Sequence, residues 1–156
     1  MGYSMRFTPQ IIFEKIGPNS QKKIENSVVC IIGLGATGTR SAELLARAGV
    51  GKLILIDRDV IEESNLQRQT LFTEKDLYKS KVFVVKSKLE EINSKTKIIA
   101  YFKDLNYKNV EDIKGDLILD CTDNLDTRFL INEFSIKNNI PWISTSKKKL
   151  HIRREY

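Results

Sequence analysis

An α/β fold with a doubly wound, mainly parallel sheet is what this sequence predicts, and three observations carry it. Strand-length apolar runs alternate with helical segments from residue 28 onward. The runs VVCII (28–32), KLILI (52–56) and DLILD (116–120) are apolar almost throughout, as strands buried on both faces are. A glycine-rich turn joins the first run directly to a helix. Strands that alternate with helices pair in parallel through crossover helices, and the natural strand order is 3-2-1-4-5.

The elements follow in order. Residues 8–26 read as two short helices broken at Gly17-Pro18, a short helical N-terminal segment. Val28 to Ile32 is the first strand, and Thr39 to Ala48 a helix with Gly49 as its C-terminal cap. Lys52 to Ile56 is the second strand and ends at Asp57. Residues 58–78 are polar and irregular, a long loop of the kind a compact domain keeps for a use. Ser80 to Ile92 is a helix with Val82, Val85 and Leu89 on one face. A third strand spans Lys97 to Tyr101, and a short helix Asn106 to Ile113. A fourth strand, Asp116 to Asp120, is followed by a helix over Asp126 to Asn138 and a fifth strand over Pro141 to Ser144.

Composition excludes several classes. In 156 residues, 41% are hydrophobic and 29% charged, which is ordinary globular usage and not that of a disordered tail or fibre. No apolar run approaches the ~20 residues of a bilayer span, so no membrane is expected. Residues 1–16 lack a basic region followed by an apolar core, the mark of a signal peptide. Cys30 and Cys121 stand far apart, in neither a disulfide framework nor a CxxC zinc pattern, so a reducing cytoplasm is the expectation. The net charge of +6 is concentrated: residues 147–156 carry five Lys/Arg against one Glu, and the other 146 residues carry 21 against 19. A body so nearly balanced gives no reason to expect nucleic acid as a partner.

The turn Gly33-Leu34-Gly35-Ala36-Thr37-Gly38 fits G-x-G-x-x-G between strand and helix, and Asp57 ends the next strand. Glycines permit a tight turn and close backbone approach, the helix N-terminus offers free N–H groups to phosphate, and Asp57 can accept from ribose hydroxyls. The sheet is therefore Rossmann-like and the ligand a nucleotide; the turn alone does not separate NAD from ATP. The next segment, Ser64-Asn65-Leu66-Gln67-Arg68-Gln69-Thr70-Leu71-Phe72, does. Bunched Asn, Arg and Gln suit a site that cleaves a triphosphate, where charge building on phosphate oxygens must be met by donors. Lys81 opens the following helix within reach of the same phosphates. Asp123, in Cys121-Thr122-Asp123-Asn124, lies at the carboxyl edge of the sheet, where one carboxylate with phosphate oxygens suits Mg²⁺.

These segments together resemble the ThiF/MoeB-type adenylyltransferases, relatives of the ubiquitin-activating enzymes. The matching pieces are GLGATG (33–38), LILIDRD (53–59), SNLQRQTLF (64–72), SKV around Lys81, and CTDNLDTR (121–128), with looser similarity from Arg6 to about Ser144. The resemblance implies ATP-dependent adenylation of the C-terminal glycine of a small ubiquitin-like or sulfur-carrier protein. It also implies a homodimer, or a heterodimer with a related subunit. It assigns the catalytic roles to Arg68, Lys81 and Asp123, with Asp123 on the Mg²⁺. The nucleotide site it implies comprises Gly33, Gly35, Ala36, Gly38, Asp57, Ser64, Asn65, Gln67, Arg68, Gln69, Lys81, Asp123 and Asn124.

Blander roles stay open for the same residues. Arg68 could pair with Asp59 or Glu62. Lys81 lies in a Lys-rich stretch with Lys79, Lys86 and Lys88 that reads as a solvated face. Asp123-Asn124 could cap the next helix. Arg128 is either a site residue or a partner for Asp126. Cys30, Phe13, Phe83 and Phe129 read as core, Cys121 shows no sign of being a nucleophile, and His151 reads as solvated.

The resemblance also breaks in places. Pro9 stands where the family has an arginine that reaches into the partner subunit's site, and such an arginine is worth ~10³–10⁵ in rate in phosphoryl transfer. The carrier groove, a loop cysteine and the zinc-binding CxxC pairs that follow in the family have no counterpart here, so no zinc site is expected. The division read from the sequence is an ATP-binding domain over 1–146 and a basic tail over 147–156, out of frame or disordered. Without a further half, the fifth strand is expected to be a bare sheet edge that drives dimerisation or aggregation. Two other functions remain beside adenylation: a non-catalytic ATP-binding subunit that supports a full-length partner, and, more remotely, an NAD-dependent oxidoreductase.

Overall fold

The computed structural model describes residues 5–145 and the backbone of 150–153. After a 3₁₀ turn at Met5–Phe7 come α1 (Thr8–Ile12), α2 (Gly17–Asn26), β1 (Val28–Ile32), α3 (Ala36–Ala48) and β2 (Lys52–Asp57). The chain continues through α4 (Lys81–Ile92), β3 (Lys97–Phe102), β4 (Leu117–Asp120), α5 (Leu125–Asn138), β5 (Trp142–Thr145) and β6 (Leu150–Arg153). Strands β1 to β5 form a parallel sheet in the order 3-2-1-4-5, as the alternation of elements predicts.

Side chains alternate across the sheet, so each strand feeds two cores. Val29 and Ile31 of β1 join Leu53 and Leu55 of β2 beneath α3 and α4, where Ala42, Ala46, Val82, Val85 and Leu89 pack. Cys30 and Ile32 face the other way, with Ile54, Ile56 and Ile118, against Leu130, Ile131 and Phe134 of α5. Burial on both faces is why these strands read as unbroken apolar runs. Helix α3 ends at Gly49, whose φ of +89° is left-handed, with its N–H on the Ala46 carbonyl.

Four sequence expectations are corrected. Residues 106–113 form no α-helix, only a 3₁₀ turn at Val110–Asp112. The side chains of Asn106 and Asn109 bond nearby backbone groups and so compete with a helix. Strand β5 is not a bare edge, because β6 pairs with it antiparallel from Trp142↔Arg153 to Thr145↔Leu150. Phe13, Phe83 and Phe129 are exposed rather than core; α4 and α5 carry apolar residues on outward faces as well as inward ones. Of the two roles left open for Arg128, the pairing with Asp126 is not formed: it pairs with Asp120, at the carboxyl edge of the sheet, and lines a cleft there. The side chain of His151 lies outside the described residues, as do residue 146 and, in the expected tail, 147–149 and 154–156.

Candidate functional site

The sheet order reverses between β1 and β4, and chains leaving those two strands turn to opposite sides. That divergence opens a crevice at the carboxyl ends of the strands. Here it is a cleft of about 590 Å³, walled by the turn after β1, the end of β2, the loop 58–78, the first residue of α4, and the turn after β4.

The glycines of the β1–α3 turn do three different jobs. Gly33 has φ +87°, and a Cβ there would press to 3.0 Å on the backbone of Cys121. Gly38 is buried in strand–helix packing, where a Cβ would sit 1.9 Å from the Gly33 carbonyl oxygen. Gly35, the residue before α3, has nothing within 4 Å of where its Cβ would be. Its open space faces the cleft, beside the backbone of Ala36 and Thr37. The first two glycines close the fold; the third leaves a cradle at a helix N-terminus, where free N–H groups and the helix dipole favour an anion.

Asp57 ends β2 at the cleft floor. One carboxylate oxygen accepts from the Leu34 N–H at 2.5 Å and the other from the Asp59 N–H at 2.7 Å. Burial raises its pKa above the usual carboxylate value, only partly offset by those two bonds. The carboxylate thus pins the glycine turn while lining the cleft.

The loop 58–78 is ordered by its own polar side chains. Asn65 caps a 3₁₀ turn by accepting from the Glu62 N–H at 3.1 Å, and Asp76 caps a second by accepting from the Thr73 N–H at 2.9 Å. Buried Ile61 and Phe72 anchor the loop to the core under α3 and α4. Arg68 donates to the Ser64 carbonyl at 2.8 Å, not to Asp59 or Glu62, and its exposed head reaches the cleft with Asn65 and Gln69. Ser64 and Gln67 are exposed and lie off the cleft wall. Gln69 is buried, and its Oε1 has no hydrogen-bond partner. Its side-chain amide is the kind of group a bound ligand satisfies, as acceptor or, turned over, as donor.

Lys81 is not part of a solvated face. Its side chain is 7% exposed, and Nζ donates to Asp59 Oδ2 at 3.1 Å while lining the cleft. Asn124 caps α5 by accepting from the Asp126 N–H at 2.9 Å, so Asp123, exposed at the cleft wall, is not the cap. Among the described residues no three of His, Cys, Asp and Glu cluster for a metal, so Asp123 would be a single carboxylate ligand of the sort Mg²⁺ uses with phosphate oxygens.

Sequence reading missed the layer beneath. Asp120, fully buried at the end of β4, accepts from the Thr122 backbone and hydroxyl, from Arg128 Nε and from the Ser144 hydroxyl. Arg128 also donates to the Thr122 carbonyl at 3.1 Å. The one available signal was an acid closing an apolar strand. Cys121 lines the cleft, but burial pushes its thiol up to about 11, and Cys30 to about 12.

The model of the ThiF family matches residues 7–151. The chain belongs to the ThiF family. It is 41% identical over 142 residues to a sulfur carrier protein ThiS adenylyltransferase of Bacillus subtilis, covering 88% of this chain and 42% of that protein. It is 41% identical over 144 residues to the Escherichia coli protein of the same name, covering 91% and 57%. This ThiF-family chain thus spans about half the length of the curated relatives it matches. A crystal structure of E. coli MccB with ATP superposes with a TM-score of 0.85 at 26% identity, over 97% of this chain and 49% of that one. The E. coli dehydratase TcdA shares the fold, with a TM-score of 0.85 at 22% identity. Among the described residues, no helix is long and apolar enough to cross a membrane.

Proposed function

We propose that this chain binds ATP and takes part in adenylating the C-terminal carboxylate of a small ubiquitin-like or sulfur-carrier protein in the cytoplasm. The observation that carries this reading is the convergence on one cleft of the open backbone at Gly35, the buried ammonium of Lys81, the head of Arg68 and the carboxylate of Asp123. The relatives are named for adenylating a sulfur carrier, and the MccB structure holds ATP, which supports the same chemistry here.

The residues fit a nucleoside triphosphate. Gly35 leaves room for phosphate against the α3 N-terminus, and the buried Gln69 Oε1 lacks a donor that a ligand would supply. Asp57 stands at the end of β2, where ribose hydroxyls are held in such sheets. A metal ion held by Asp123 would neutralise phosphate charge. Attack of a carboxylate on the α-phosphorus needs no protein nucleophile, which accords with a Cys121 thiol kept protonated. The chain's work is to orient two anions and meet the charge that grows on the phosphates, through Lys81, Arg68 and the α3 amides.

A second reading, a non-catalytic ATP-binding subunit of a larger dimer, is favoured by Pro9. It stands exposed in α1, where the sequence resemblance calls for an arginine. One experiment tests both readings: equilibrium binding of Mg-ATP to the purified chain, with NAD as control, followed by carrier-dependent exchange of pyrophosphate into ATP. Binding with exchange supports the adenylyltransferase, binding without exchange the supporting subunit. NAD binding in preference to ATP overturns both.

A further inference from the structure

Lys81 and Asp59 form an unequal pair. The Lys81 side chain is 7% exposed and cannot turn to solvent, whereas the Asp59 side chain is 56% exposed and can. One backbone bond joins the pair, the Lys81 N–H donating to the Asp59 carbonyl at 3.0 Å, and a second ties Asp59 to the end of β2, its N–H donating to Asp57 Oδ1 at 2.7 Å. Asp59 therefore touches both the carboxylate at the end of β2 and the ammonium that opens α4. Lys81 is also the first residue of α4, so its ammonium sits at the positive end of a 12-residue helix. A buried cation there is unfavourable unless an anion faces it.

We propose that Asp59 is a positioning residue for ATP binding. Its carboxylate holds the Lys81 ammonium aimed into the cleft, then yields that ammonium to a phosphate oxygen by turning toward solvent. The asymmetry of exposure decides which partner yields: a phosphate entering the cleft meets a lysine that cannot leave and an aspartate that can. This inference rests on the ATP-binding reading. It adds that Asp59 acts on ATP only through Lys81, without touching the nucleotide.

A double-mutant cycle on the full chain tests it. Mg-ATP affinity is measured by titration calorimetry for the natural sequence, Asp59→Asn, Lys81→Met and the double variant, each checked for a cooperative thermal transition. Asn keeps both backbone bonds of residue 59 and removes only the charge. The expected result is about tenfold weaker binding for Asp59→Asn when Lys81 is present, and no further loss when position 81 is Met. Unchanged or tighter binding by Asp59→Asn overturns the proposal, as does an equal loss in both backgrounds, which would mark a general structural role. Should Asp59→Asn not fold, Asp59→Glu, which displaces the carboxylate by one methylene, is compared in the same two backgrounds under the same criteria. Failure of the natural chain to bind ATP removes the functional reading and this inference together; binding without coupling removes the inference alone.

Discussion

Arg128 donates its Nε to Asp120 Oδ2 at 2.9 Å, and Asp120 has no solvent exposure at all. The pair joins α5 to the end of β4, and the second Arg128 bond, to the Thr122 carbonyl, holds the turn that presents Asp123. Asp120 is saturated, with two donors on each oxygen. Removing one partner of such a pair leaves a buried charge uncompensated, at a cost of about 3–5 kcal/mol. Arg128→Ala is therefore expected to lower the urea unfolding free energy by about 3 kcal/mol, with Asp120→Asn added to Arg128→Ala recovering part of it. Equal stability of Arg128→Ala and the natural chain would show that water replaces the guanidinium without cost.

The acid limb of the stability profile has a named origin. Partial burial opposes ionisation of Asp76, but hydrogen bonds from Lys88 at 2.5 Å and from Thr73 outweigh it and hold the carboxyl at about 2. A carboxylate with a depressed folded-state pKa stabilises above its unfolded pKa, and that stability is lost as pH falls through the folded value. The window is thus from about pH 4 down to about pH 2, and the loss is about 2 kcal/mol. Glu43, held low by hydrogen bonds from Arg47 and Arg40, adds slope in the same direction. Chemical unfolding at stepped pH reads the sum, and Asp76→Asn flattens the part that belongs to Asp76. A profile unchanged by that substitution would assign the acid limb elsewhere.

The strands that are buried on both faces were legible because their apolar runs admit one reading, and G-x-G-x-x-G followed by Asp57 placed the cleft. SNLQRQ placed Arg68, Asn65 and Gln69 on its wall, although Ser64 and Gln67 within the same segment do not line it. What stayed hidden depends on pairs distant in sequence. Nothing near Asp120 announces Ser144, 24 residues on, or that Arg128 would choose Asp120 over adjacent Asp126. Helix α5 hid its orientation for another reason. Phe134 is buried while Phe129 is 65% exposed, and a helix apolar on two sides carries no periodic signal for which one faces the sheet.

Proximity to the cleft does not make Cys121 reactive. Burial is the largest cause of its raised pKa, and its thiol hydrogen bonds with Thr145 and Ser41 do not offset it. With a pKa of about 11 against an ordinary value of 9.0, its thiolate fraction at pH 8 falls roughly a hundredfold. Cys30 is held higher still. Neither cysteine of the native chain should be alkylated by iodoacetamide at pH 8 on the timescale that labels both in urea, as read by intact mass. Rapid native labelling of Cys121 would reopen it as a nucleophile.

The last prediction separates the fold's glycines from the ligand's. Gly38→Ala drives a Cβ to 1.9 Å from the Gly33 carbonyl oxygen, a backbone atom that cannot move without opening the β1–α3 turn. That variant should be destabilised by several kcal/mol or fail to fold. Gly35→Ala meets nothing within 4 Å, at an unstrained φ of −77°. Its stability should stay within about 0.5 kcal/mol of the natural chain, as for substitutions that touch no packed feature. The added methyl instead occupies the space where a phosphate would approach the α3 amides, so Mg-ATP affinity should fall at least tenfold in a well-folded protein. Thermal unfolding and calorimetric titration on the same samples read the two quantities side by side. Full ATP affinity in a stable Gly35→Ala chain would move the phosphate site away from the helix N-terminus and leave the turn with a structural role only.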